Sequence, residues 1–136
     1  MTRSNMAGAY TGNRYLPLEA REQEMLFEWA AYQLYTYPEL QSMFAIPNGG
    51  SRHPAEARNL KRQGVKPGVP DICLPVPKGG YHGMYIEMKR LKGGRLSDDQ
   101  SAWIAMLQRN GYRAVVCKGW KSARDAILDY LEERQR

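Results

Sequence analysis

Cysteine is scarce in this chain. Cys73 and Cys117 are the only two in 136 residues, and neither stands in a C-x-x-C pair or beside a histidine. That excludes a disulfide scaffold and a structural zinc site as organising devices. Histidine is equally scarce, and His53 and His82 lack the spacing of a ligand pair, so both read as surface residues. No stretch approaches the ~18 consecutive apolar residues of a membrane span. Met1–Tyr15 is too polar for a secretory signal. Internal repeats and long low-complexity tracts are absent as well. The expectation is a cytoplasmic protein with no staple and no membrane partner.

What is present suits one globular domain. The chain is 43% hydrophobic and 25% charged, enough for one core and too short for two. The formal charge is +6, and the excess is local. Ser51–Lys66 carries Arg52, Arg58, Lys61, Arg62 and Lys66 against Glu56; Lys78–Arg95 carries Lys78, Lys89, Arg90, Lys92 and Arg95 against Glu87. Each block is +4, and the remainder of the chain is −2. Paired basic blocks are what a phosphate-backbone footprint needs, because each neutralised phosphate releases condensed counterions. An ordinary solvated surface has the same composition, so charge alone does not decide.

Periodicity and punctuation give the order of elements. Pro17 suits the first turn of a helix running to about Tyr35, with Leu18, Met25, Trp29 and Tyr32 on one face. Met43–Pro47 reads as a strand, Asn48-Gly49-Gly50 as a turn, and Pro54–Gln63 as a helix capped by Gly64. Asp71–Val76 and Met84–Lys89 read as strands joined through Gly79-Gly80. Ser97 and Gln100 match a capping box that opens a helix ending near Asn110-Gly111. Tyr112–Cys117 reads as a strand and Ser122–Arg134 as a last helix. The fold class expected is α/β, a central mixed β-sheet flanked by helices. Trp29, Trp103 and Trp120 are assigned to core or interface.

Chemistry concentrates in the two middle strands. Asp71 opens one and Glu87 lies in the next, with fifteen residues between them, enough for a hairpin that sets the carboxylates side by side. Alternation places Glu87 and Lys89 on one face, with Ile86 and Met88 on the core side. Two adjacent carboxylates repel, and a hard cation such as Mg²⁺ or Mn²⁺ relieves that repulsion through oxygen ligands. A neighbouring lysine can then orient or help deprotonate an attacking water.

Pro70-Asp71…Glu87-Met88-Lys89 resembles the PD-(D/E)XK nuclease motif. The surrounding Pro47-Asn48-Gly49-Gly50, Leu60-Lys61…Gly64-Val65…Pro67-Gly68-Val69-Pro70-Asp71 and Gly93-Gly94-Arg95-Leu96-Ser97…Gln100 narrow the resemblance. Together they resemble the VRR-Nuc (virus-type replication-repair nuclease) family, especially its short stand-alone phage and bacterial members, over about Leu18 to Leu131.

The resemblance implies a restriction-endonuclease-like core, with residues 1–16 as a flexible arm and 17–136 as one nuclease domain. It implies a metal-dependent endonuclease acting on structured DNA, resembling junction resolvases and working as a homodimer in a bacterial cytosol or phage-infected cell. Asp71, Glu87, the Met88 carbonyl and a helical glutamate would hold Mg²⁺ or Mn²⁺. Lys89 would position or activate water, and Gln100 would orient Lys89 or the water. Cleavage would leave a 3′-hydroxyl and a 5′-phosphate. Glu19, with Gln23 four residues on, fits the helical glutamate best, while Glu22 and Glu24 compete. Gln100 has the alternative of serving only the cap of Ser97. Asn48, Gly49, Arg52, Lys61, Arg62, Lys66, Arg90, Lys92 and Arg95 are the expected DNA contacts, each with a plain solvated charge or turn as its alternative. A catalytically silent DNA-binding subunit and a flap- or end-specific nuclease are the competing readings.

Overall fold

The computed structural model describes residues 18–47 and 53–134. The N-terminal arm, the Asn48-Gly49-Gly50 turn and Arg52 lie outside the described residues. Helix α1 spans Leu18–Tyr32 and a 3₁₀ turn spans Pro38–Ser42. Strand β1 (Phe44–Ala45), helix α2 (Pro54–Arg62), strand β2 (Ile72–Leu74) and strand β3 (Met84–Lys89) follow. Helix α3 (Asp98–Arg109), strand β4 (Arg113–Lys118) and helix α4 (Trp120–Leu131) complete the order.

Alternating side chains organise the sheet. Its strands lie in the order β1-β2-β3-β4, with β1 and β3 antiparallel to β2 and β4 parallel to β3. The expected mixed sheet flanked by helices is the architecture found. Ile72 and Leu74 of β2 and Met84, Ile86 and Met88 of β3 are buried on one face against Leu26 and Ala30 of α1 and Ala123 and Ile127 of α4. The opposite face of β3 therefore carries Tyr85, Glu87 and Lys89. Parallel pairing of β3 with β4 needs a crossover, and α3 supplies it.

Several boundaries shift for local reasons. The first helix stops at Tyr32, before the expected Tyr35, and Pro38 then opens a 3₁₀ turn that periodicity did not announce. The strand expected over Asp71–Val76 shrinks to Ile72–Leu74, because Pro70, Pro75 and Pro77 have no N–H to give a ladder. The Met43–Pro47 strand contracts to Phe44–Ala45, and the last helix starts earlier, at Trp120. Between β2 and β3, Lys78 and Tyr81 exchange backbone hydrogen bonds around Gly79-Gly80, both at positive φ as a type I′ turn requires.

Helix α2 ends in a Schellman arrangement: Gly64 N–H donates to the Lys61 carbonyl and Val65 N–H to that of Leu60. The following loop then meets α3 at Gly68, whose added Cβ would lie 2.6 Å from the Asp99 backbone carbonyl carbon. Gly64 and Gly68 thus pose a matched comparison. Both have positive φ, +100° and +85°, but a Cβ on Gly64 would meet open space. Gly64→Ala should cost ~1–2 kcal/mol through backbone strain alone. Gly68→Ala should cost clearly more, because the loop must also retreat from α3. Urea titration of both variants checks this, and equal losses would refute the packing account.

Candidate active site

The ladder between β2 and β3 sets the site. Ile72 pairs with Ile86, and one step further along the same antiparallel register Asp71 faces Glu87. Directly opposed residues share a face, so the two carboxyl groups point to the same side of the sheet. Met88 N–H donates to Asp71 Oδ2 at 2.8 Å and holds that carboxylate against the edge of β3. The Met88 carbonyl leaves the strand on the same edge as its N–H. Glu87 is 2% exposed and Lys89 7%.

Helix α3 closes the site from above. Ser97 caps it, accepting at Oγ from Gln100 N–H (3.1 Å), while Gln100 Oε1 accepts from Ser97 N–H (2.9 Å). The same Oε1 accepts from Lys89 Nζ at 3.0 Å, and Gln100 Nε2 donates to Glu87 Oε2 at 3.0 Å. Cap and site are therefore not alternatives for Gln100; one amide serves both. Lys89 Nζ also pairs with Glu87 Oε2 at 3.4 Å. Gly94 lets the intervening loop fold back onto the lysine, since an added Cβ there would lie 2.9 Å from Lys89 Cβ.

A buried acid and its half-buried neighbour are both shifted from their ordinary values. Burial first, and then the negative charge of Asp71, push the Glu87 carboxyl up to about 7 despite Lys89. Burial likewise raises Asp71, against the Met88 N–H that favours its ionised form. Glu87 Oε1 is fully buried and finds no donor among the described residues while both acids are ionised; a proton shared with Asp71 is its alternative. An unsatisfied buried acceptor costs about 1–3 kcal/mol, and a cation between the carboxylates would remove that cost. The donor set suits Mg²⁺ or Mn²⁺, which take carboxylate, carbonyl and water oxygens. No three His, Cys, Asp or Glu side chains among the described residues close around one point. The oxygens at hand are thus those of Asp71 and Glu87 with the Met88 carbonyl.

The helical glutamates separate cleanly. Glu19, with Gln23, lines the same cleft of about 220 Å³ as Asp71, Glu87, Lys89 and Gln100, and its charge acts on Asp71. Glu22 instead accepts from Trp120 N–H at 2.7 Å, tying α1 to the start of α4. Glu24 pairs with Arg21 at the surface. Only their partners, not their spacing, tell these three apart.

Of the expected DNA contacts, Lys61 and Lys66 line a second cavity that shares Gln100 with the cleft. Arg62 is exposed beside Asn59, its hydrogen-bond acceptor. Arg90, Lys92 and Arg95 are exposed on the loop leading into α3. None of the six pairs with a carboxylate among the described residues. Asn48, Gly49 and Arg52 lie outside the described residues. Lys78 leaves the basic block, because it sits at the far end of the β2–β3 connection and pairs with Glu39 at 3.2 Å. The second cavity and Asp99 on its wall were not singled out from sequence; the Gly68 contact that positions them leaves only a glycine as its signal.

The VRR-NUC domain model matches residues 19–121. A solved structure described as a VRR_NUC domain protein superposes with a TM-score of 0.74 at 31% identity, covering 84% of this chain and 88% of its own. No curated protein matches the chain.

The raised Glu87 fixes a sign for stability against pH. From the ordinary value of 4.5 to about 7, the folded protein holds more proton than the unfolded chain. Stability of metal-free protein should therefore fall as pH rises through that window. Glu87→Gln removes the buried charge and can turn its amide N–H toward Asp71. In EDTA, its Tm should exceed that of the unsubstituted protein at pH 8, with the gap closing toward pH 5. A gap independent of pH in thermal melts would contradict this assignment.

Proposed function

The chain belongs to the VRR-NUC family, a nuclease-type domain that processes DNA, and on that footing we propose that it is a metal-dependent endonuclease hydrolysing phosphodiester bonds in branched DNA. The observation that carries this reading is half-buried Asp71 opposed to buried Glu87, with one carboxylate oxygen lacking a donor and an ammonium group clamped beside it. A pure DNA binder gains nothing from carboxylates turned toward phosphate.

Asp71, Glu87 and the Met88 carbonyl would hold Mg²⁺ or Mn²⁺ directly, with Glu19 acting across the cleft through water. When bound, the ion offsets the charge that develops on the phosphate and makes water a better nucleophile. Lys89 has three N–H donors; Gln100 Oε1 and Glu87 Oε2 take two, leaving one for the attacking water or a phosphate oxygen. Gln100 is a positioning residue, since it acts through Lys89 and Glu87. Lys61, Arg62, Lys66, Arg90, Lys92, Arg95 and Arg52 would neutralise flanking phosphates, and Asn48 and Gly49 would contact one without charge, through amide and backbone groups. Symmetric incision of a four-way junction asks for two sites related by a two-fold axis, which is the reason for proposing a homodimer.

Cleavage of four-way, flapped and linear substrates in Mg²⁺ and in Mn²⁺ tests this reading. Branched DNA should be cut, leaving 3′-hydroxyl and 5′-phosphate ends. Asp71→Asn and Lys89→Ala should each lose on the order of 10²–10³-fold or more in rate while still binding the junction. Mg²⁺ should raise the Tm of the unsubstituted protein at pH 8 and leave that of Asp71→Asn unmoved. Cutting by Asp71→Asn at the unsubstituted rate would falsify the assignment. Junction binding with no cutting in either metal would identify a silent DNA-binding subunit instead.

A further inference from the structure

Beside the catalytic cleft lies the second cavity, larger at about 430 Å³ and separated from the first by Gln100. That volume falls within the ~300–1,000 Å³ of sites that engulf small organic groups. Leu60 of α2 and Val65 and Pro67 of the following loop give it an apolar floor. Lys61 and Lys66, both exposed, and Asp99 of the first turn of α3, also exposed, line its open side. The polar atoms of Ser97 and Gln100 that reach the cavity are already committed to the cap, Glu87 and Lys89. Asp99, Lys61 and Lys66 make no ion pair among the described residues.

A cavity meant for a phosphate alone would not need an apolar floor and would not place a carboxylate in its lining. A nucleotide whose base enters the cavity needs both. The floor takes the flat face of the base, the two ammonium groups take the attached phosphate, and the carboxylate accepts from an exocyclic amine. Gly68 packs directly on the backbone and Cβ of Asp99, which fixes the spacing between the loop and the first turn of α3 on either side of the cavity. We propose that this cavity receives one amino-bearing nucleobase, cytosine, adenine or guanine, unstacked from the strand next to the scissile phosphate. The proposal rests on the nuclease reading of the neighbouring cleft and adds a source of selectivity to it. Extruding a base costs least where stacking and pairing are already interrupted, so the cavity favours incision at branch points.

The test uses full-length Asp71→Asn protein bound to a four-way junction. The cuts made by the unsubstituted protein are mapped first. 2-Aminopurine, which keeps an exocyclic amine, is then placed at each position within two nucleotides of them. One position should brighten several-fold on binding, as an unstacked base does. Ala57→Trp, which fills the cavity from α2, should abolish that rise in the Asp71→Asn background while the junction stays bound. Asp99→Asn keeps the cavity's volume and guards against a folding defect in the tryptophan variant. With Asp71 intact, thymine at the same position should slow cutting about fivefold or more against cytosine, and Asp99→Asn should level the two. Junction cutting by the unsubstituted protein with no brightening at any position, or brightening that survives Ala57→Trp, overturns the cavity assignment alone. Failure to cut any branched substrate overturns the nuclease reading and the cavity with it.

Discussion

Two carboxyl groups held face to face, one buried and one half-buried, are the constraint that the rest of the molecule serves. The Ile72–Ile86 pairing leaves Asp71 and Glu87 directly opposed at the end of the ladder. Like charges at that distance resist joint ionisation, and burial resists it further. The surroundings offset part of the cost: a backbone N–H for Asp71, an amide and an ammonium for one oxygen of Glu87. The remaining oxygen finds no donor among the described residues while both acids are ionised. A polypeptide retains such an arrangement where a bound group repays it, and local frustration of this kind is how a functional site departs from an otherwise self-consistent fold.

Gln100 joins local folding to that chemistry. Its carbonyl oxygen completes the first turn of α3 and restrains the lysine, while its amino group restrains the glutamate. The clamp forms only if the helix starts at Ser97 and the preceding loop turns back at Gly94. The basic residues belong to the two segments that border this helix, one before β2 and one after β3. Lys61 and Lys66 from the first of these segments meet Ser97 and Gln100 at the start of α3, so parts of the chain distant in sequence come together there.

Much of this was legible before any coordinates. Alternation in Met84–Lys89 separated Ile86 and Met88 from Glu87 and Lys89, because a strand has a period of two whatever packs on it. The capping box was equally plain, since it is a contact three residues apart. What periodicity could not convey was tertiary. Glu19, Glu22 and Glu24 look alike in sequence, and only the arrival of Trp120 at Glu22 distinguishes them. Lys89 reads from sequence as the lysine beside Glu87, but its burial and its hold by Gln100 appear only once α3 is laid over it. Lys78 joined a basic block by counting along the chain, yet the hairpin carries it to the opposite end of β3. The strands flanked by prolines are shorter than their apolar character suggests, because the missing N–H groups end the ladder first.

The cross-strand register also governs which changes in length the enzyme tolerates. The connection from Pro75 to Gly83 turns back on itself far from the carboxylates, so extra residues there would lengthen a loop and leave the acids where they are. A single residue inserted between Asp71 and Ile72 is a different event. It would carry the aspartate to the reverse side of the pleat, toward the greasy layer beneath α1 and α4, and leave Glu87 without its counterpart. Natural variation in size should therefore gather at the hairpin tip and avoid the junction between Pro70 and Ile72.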